Sequence, residues 1–183
     1  MPIVKPSLTS PNVGNLSVKR GYMSAQFEGE SEFTDMGFCA QAELTMNPTL
    51  LHYYSPRQGV QKKVLSVITR LDASLTMVLN EQTARNMGLA VLALATQGES
   101  PGGTRLELMS NPRFYAALQF TDTSTYGPEW NAYFPLVLLT PRQALALIAQ
   151  GSGDWATVSI TCDVQYDTTT QSFGYIESTM EHV

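Results

Sequence analysis

Charge is scarce in this 183-residue chain. Asp, Glu, Lys and Arg make up 15% of it, against a usual share of about a quarter. Histidine and cysteine are scarcer still, at two residues each: His52 and His182, Cys39 and Cys162. No set of His, Cys, Asp and Glu has the spacing of metal ligands, so no metal site is expected. The two cysteines lie far apart and read as small buried hydrophobes; a disulfide would need an oxidising compartment that nothing else in the sequence supports. Signatures of nucleophilic and phosphate chemistry are missing too: there is no G-x-S-x-G, no Cys–His pair at a motif spacing and no P-loop. Gly102 and Gly103 close the stretch from Gln97, which reads as a mobile turn, not a phosphate cradle. No catalytic residue and no cofactor is therefore expected. No apolar run reaches the ~18 residues that span a bilayer, and Met1 to Lys19 lacks the apolar centre of a signal peptide. The chain is expected to be made and kept in a cytoplasm, with no membrane partner. A net charge of −5 argues against a nucleic-acid binder that works by neutralising phosphates.

What is present is mostly strand-like alternation. Hydrophobic residues are 43% of the chain. A fold of this size buries roughly 70% of its unfolded surface and needs no staple. Residues 1–13, with Pro2, Pro6 and Pro11, read as an extended arm. One domain is expected over 14–176, followed by a tail at 177–183. Leu16 to Gln26 alternates loosely, and Glu28-Gly29-Glu30-Ser31-Glu32 reads as a solvated acidic turn. Met36 to Met46 puts Phe38, Ala40, Ala42, Leu44 and Met46 on one face of a half-exposed strand, and Cys39, Gln41, Glu43 and Thr45 on the other. Residues 47–61 read as a loop, longer than a hairpin connection and rich in exposed aromatic and apolar groups, as functional or interfacial loops are. From Lys63 to Leu79 the alternation runs for about twice a typical strand length, with Leu65 to Leu79 on one face and Ser66 to Val78 on the other. Asn80 reads as the N-cap of a helix over 81–95, with Ala84, Met87, Val91 and Leu94 as its core stripe.

Thr104 to Met109 and Phe114 to Thr121 read as a hairpin around Ser110-Asn111-Pro112. Ala132 to Leu139 is an edge or bulged strand because of Pro135. Thr140 to Gln150 fits a short helix capped at Thr140-Pro141 as well as it fits an extended segment. Trp155 to Tyr166 is a strand with Val158, Ile160, Cys162 and Val164 on one face, and Ser172 to Ile176 adds another. The expected class is mainly β: an antiparallel sandwich or barrel of two sheets with one flanking helix.

The order of these features resembles the major tail tube protein of long, non-contractile-tailed bacteriophages. The resemblance is carried by Gly14-Asn15-Leu16, an acidic turn, Asp35-Met36-Gly37-Phe38, a strand ending at Glu43-Leu44, and the loop with His52-Tyr53-Tyr54-Ser55-Pro56-Arg57-Gln58-Gly59. It continues through the strand from Lys62 to Leu79, the stretch Asn80-Glu81-Gln82-Thr83-Ala84-Arg85-Asn86, and Gly153-Asp154-Trp155-Ala156 before the last long strand. It implies rings of six subunits stacked head to tail into a hollow virion tail, assembled in the host bacterial cytoplasm. It also implies contact with tape measure, tail terminator and distal tail proteins, and transient, non-sticking passage of DNA. Under this resemblance Leu50, Leu51, His52, Tyr53, Tyr54 and Arg57 would order against the neighbouring ring, since aromatics and Arg anchor interfaces. The polar faces with Gln41, Glu43 and Thr45, and with Arg70, Asp72, Ser74 and Thr76, would line the channel. A ring of six such chains would carry about −30, a wall that repels phosphate. The rival expectation is a β-sandwich carbohydrate- or receptor-binding module, with Tyr53, Tyr54, Tyr126 and Trp130 as a stacking platform.

Overall fold

The computed structural model describes residues 20–55, 59, 61–93, 95–98, 103–124, 127–140 and 157–179. In chain order it forms β1 (Gly21–Phe27), β2 (Thr34–Asp35), β3 (Cys39–Met46), β4 (Thr49–Ser55), β5 (Lys62–Arg70) and β6 (Ala73–Leu79), then α1 (Ala84–Ala90). After the helix come β7 (Ala95–Gln97), β8 (Thr104–Leu106), β9 (Tyr115–Asp122), β10 (Trp130–Leu139), β11 (Val158–Val164) and β12 (Tyr175–Ser178). The class is the expected one, mainly antiparallel β with a single short helix among the described residues. The arm 1–13, the helix-or-strand segment 141–150, Trp155 and residues 180–183 lie outside the described residues.

The main sheet runs β2-β1-β9-β10-β11-β6-β3, with β12 added to β10. β10 serves both layers of the fold. β9 occupies one of its edges; on the other, Trp130–Tyr133 pairs with β12 and Val137–Leu139 with β11. Between these halves, around Pro135, the register against β9 slips at Phe134/Val137. Proline cannot donate to a ladder, so a central strand that contains it must bulge and bend. The bend turns β1 and β9 toward β6 and β11, and one apolar cluster fills the space between. Met23, Ala25, Leu118 and Phe134 from one layer share it with Leu75, Met77, Leu79, Val158, Ile160 and Cys162 from the other. These are the apolar phases of the period-two patterns, and each fully buried Leu, Ile or Met contributes roughly 1.5–3 kcal/mol.

Four expectations are corrected. First, the long alternation from Lys63 to Leu79 is two strands. The chain breaks at Leu71–Asp72, where the Asp72 carbonyl accepts the Asn47 N–H at 2.7 Å. Second, the helix is shorter than 81–95 and its cap is Thr83, whose hydroxyl accepts the Asn86 N–H at 3.1 Å. Asn80 and Glu81 brace Phe38 instead: Asn80 N–H donates to its carbonyl, and Glu81 Oε1 accepts its N–H at 3.0 Å. The helix buries Asn86, Gly88 and Leu89; of the expected stripe Met87 packs against the core, Ala84 is exposed, Val91 is half-buried and Leu94 lies outside the described residues. It closes in a Schellman turn with Leu92 at φ +52°, Ala93 N–H bonding Gly88 O at 2.8 Å. A β-carbon at position 88 would press on that Ala93 oxygen.

Third, β8 pairs with β7 and not with β9. The turn after β8 is tied to the helix end through Met109 N–H to Val91 O and Asn111 N–H to Leu92 O. Fourth, residues 47–61 are not an irregular loop, because Thr49–Ser55 is a strand.

Candidate interaction surfaces

β4 and β5 form a separate two-stranded sheet that leaves the main sheet between Met46 and Ala73. Cross-strand partners share a face, so Leu51 opposite Val67 and Tyr53 opposite Leu65 make one apolar face. Their exposures are 66%, 47%, 61% and 56%. The other face pairs Leu50 with Ile68 and His52 with Ser66, and also carries Tyr54. Lys63 Nζ lies 3.3 Å from His52 Nε2, and an ammonium only donates, so Nε2 is the acceptor. Nδ1–H then donates to Ser66 Oγ at 3.0 Å. A two-stranded sheet with both faces wet is marginal by itself, and apolar exposure on this scale marks a surface made for covering.

Of the residues expected to stack on a neighbour, Leu50, Leu51, His52, Tyr53 and Tyr54 thus share one strand, on alternate faces; Arg57 lies outside the described residues. The stacking platform of the rival reading is not assembled. Tyr53 and Tyr54 point to opposite faces of the hairpin, Trp130 belongs to the main sheet, and Tyr126 lies outside the described residues.

Five of the seven residues expected on the channel wall come together. Gln41 opposes Val78, Glu43 opposes Thr76 and Thr45 opposes Ser74, all on the side of β3 and β6 turned away from the core. Gln41 donates to Glu43 at 2.7 Å. β11 extends this face with Ser159, Thr161 and Asp163 opposite Val78, Thr76 and Ser74. Those three were readable from the polar phase of the last long strand, but its place beside β6 was not. The face is rich in hydroxyls, and its charged members, Glu43 and Asp163, are acidic. Arg70 and Asp72 lie off these strands, at the passage from β5 to β6, where they form an ion pair of 2.7 Å and border one cavity with Ser74 and Asp163.

The acidic turn is more than a solvated loop. Both Glu30 carboxylate oxygens take hydrogen bonds of 2.9 Å from Arg85 of α1, which also donates to Ala25 O and lies 4.3 Å over the Phe27 ring. Partial burial raises the Glu30 carboxyl, but the bonds from Arg85 and the Phe27 N–H outweigh it and hold the group below its ordinary range. A depressed carboxylate adds stability above its unfolded pKa and loses it as pH falls through the folded one. Glu30→Gln is expected to cost about 1–2 kcal/mol at neutral pH, reduced for the pair's partial exposure. Thermal unfolding of the two proteins should converge as the pH falls through and below the folded carboxyl's lowered pKa; a gap that persists in strong acid would contradict the ion pair.

Burial pushes the Cys162 thiol up to about 12, with the Asp163 charge adding to it, and also raises Cys39. Among the described residues, no three His, Cys, Asp or Glu gather to hold a metal, and no helix is long and apolar enough to cross a membrane.

No protein-family model matches the sequence, and no curated protein matches it. The folded chain does have a counterpart among solved structures. It is similar to a chain of the anti-feeding prophage baseplate. That chain belongs to a 6-fold symmetrised cryo-EM structure, and the similarity covers 93% of this protein and 97% of the other, with a TM-score of 0.51 at 12% identity. At that identity the likeness is one of fold.

Proposed function

We propose that this chain is a structural, non-enzymatic subunit of a phage-tail-like particle, and that its copies stack as rings of six into the tube of the tail. The observation that carries the reading is the β4–β5 hairpin, which stands away from the core with apolar side chains in water on both faces. A copy that covers this hairpin with a different part of itself makes a heterologous contact, and such contacts propagate as filaments when they do not close. The outer edge of β3 has no strand partner among the described residues. Closing a barrel across subunits removes an edge of that kind. The hydroxyl-rich face of β3, β6 and β11, with Glu43 and Asp163, then lines the lumen and lets DNA slide without binding. The fold shared with a component of a sixfold prophage baseplate supports the same setting. Tape measure, terminator and distal tail proteins would meet the tube, built in the host bacterium's cytoplasm and carried in the virion tail.

The test is negative-stain microscopy of the purified chain over a wide concentration range. Rings and tubes are expected above a threshold concentration. Dispersed single particles at every concentration would overturn the proposal.

A further inference from the structure

The hairpin is basic, with its Arg70 paired to Asp72 at the hairpin's base, while the far end of the subunit exposes acidic groups. Residues 48–71, which hold β4 and β5, contain four of the eleven Lys and Arg residues (Arg57, Lys62, Lys63, Arg70) and none of the sixteen Asp and Glu. The segment is therefore +4 in a chain of −5, and the remainder is −9. β3, β6 and β11 are antiparallel neighbours, so Met46, Ala73 and Val164 mark one end of this layer and Cys39, Leu79 and Val158 the other. The hairpin leaves from the first end. At the second end Phe38 is held between Asn80 and Glu81, and Asp35 accepts the Gly37 N–H at 2.9 Å. One helical turn further on, Arg85 holds Glu30, which brings the acidic turn to the same end. Glu28, Glu32, Asp35 and Glu81 are all exposed: Asp35 and Glu81 sit beside Phe38, which is 63% exposed, and Glu28 and Glu32 flank the Glu30 that Arg85 holds. Of the cations nearby, Arg85 is engaged by Glu30, and Arg20 borders the same cavity as Phe38.

We propose that the basic hairpin of one copy docks on the acidic end of the next copy, around Phe38, and that this charge match sets the polarity and register of the stack. The inference rests on the stacked reading above and names its receiving surface. Like ends repel and unlike ends attract, so head-to-head pairing is disfavoured before any apolar surface meets. Exclusion of water on docking strengthens the attraction that steers the encounter. Phe38 then has the hairpin's tyrosines and leucines to pack against.

A homopolymer allows the charges to be exchanged within one chain. Lys62→Glu with Lys63→Glu is expected to raise the threshold concentration for tubes by about tenfold or more. Glu28→Lys with Glu32→Lys should do the same, and all four substitutions together should bring assembly back. Each variant's circular dichroism is compared with the parent chain, and the parent's assembly rate is read against sodium chloride, which should slow it. Parent tubes that ignore salt and both reversals, or a four-site variant that stays unassembled while folded, would overturn the charge contact alone. Absence of tubes from the parent chain would instead overturn the stacked reading.

Discussion

Threonine in place of Leu51, Tyr53, Leu65 and Val67 is expected to leave a folded monomer that no longer forms tubes. The four side chains share the apolar face of the hairpin and are already in water in the single chain. Their removal therefore costs the monomer little, and threonine keeps the strand propensity of the sites. In the assembled state they are the groups a neighbour would cover, each contributing about 1–2 kcal/mol when buried. Loss of all four should raise the assembly threshold by at least about a thousandfold, which takes it out of reach in practice. Sedimentation and negative-stain images give the assembly, and thermal unfolding gives the monomer. Tubes of normal abundance from a folded variant would remove the hairpin from the interface.

The second large effect concerns the monomer. Asn86 is 1% exposed, and its amide donates at 2.9 Å to both the Met36 and Glu81 carbonyls. It ties α1 to the segment between β2 and β3 and to the turn that precedes the helix. Asn86→Leu keeps the branched shape at a larger volume, strands the buried Met36 carbonyl and removes the donor to the Glu81 carbonyl. We expect a loss of about 2–4 kcal/mol, or a fall in Tm of roughly 6–12 °C for a domain of this size. Asn86→Asp should be worse at neutral pH, because it replaces the donor with a buried charge. A change under about 1 kcal/mol for Asn86→Leu would show that the helix is held by Leu89 alone.

In β6 and β11, which have one dry face, the buried phase is the one expected from sequence; in β3 a bulge at Cys39/Gln41 brings Cys39 to the core, and Ala40, Ala42 and Met46 are exposed. Leu75, Met77 and Leu79, and Val158, Ile160 and Cys162, are buried as their phase requires. Pro135 bulges its strand. The errors fall where partner choice matters. The alternation through Leu65, Val67 and Leu71 looks the same as that through Leu75 and Leu79, yet the first set is exposed and the second buried. Period two reports extended backbone, not what covers it. The helix was misplaced by three residues at its start because Asn80 and Thr83 are both good caps, and only the contacts of Asn80 and Glu81 with Phe38 decide between them. Leu50, Leu51, Tyr53 and Tyr54 are exposed as the reading of residues 47–61 expects, but aromatic residues among turn formers hid a strand.

By itself the amino-acid order determined the class, the buried phase of β6 and β11 and the concentration of cations in one acid-free stretch, because these depend on neighbours along the chain. The tertiary structure alone decided that β5 leaves the sheet to pair with β4, that Glu30 closes on Arg85, and that the hairpin leaves from the end opposite Phe38 and Glu81. Those outcomes depend on contacts between residues tens of positions apart, and a local pattern carries no information about which distant strand or charge will arrive beside it.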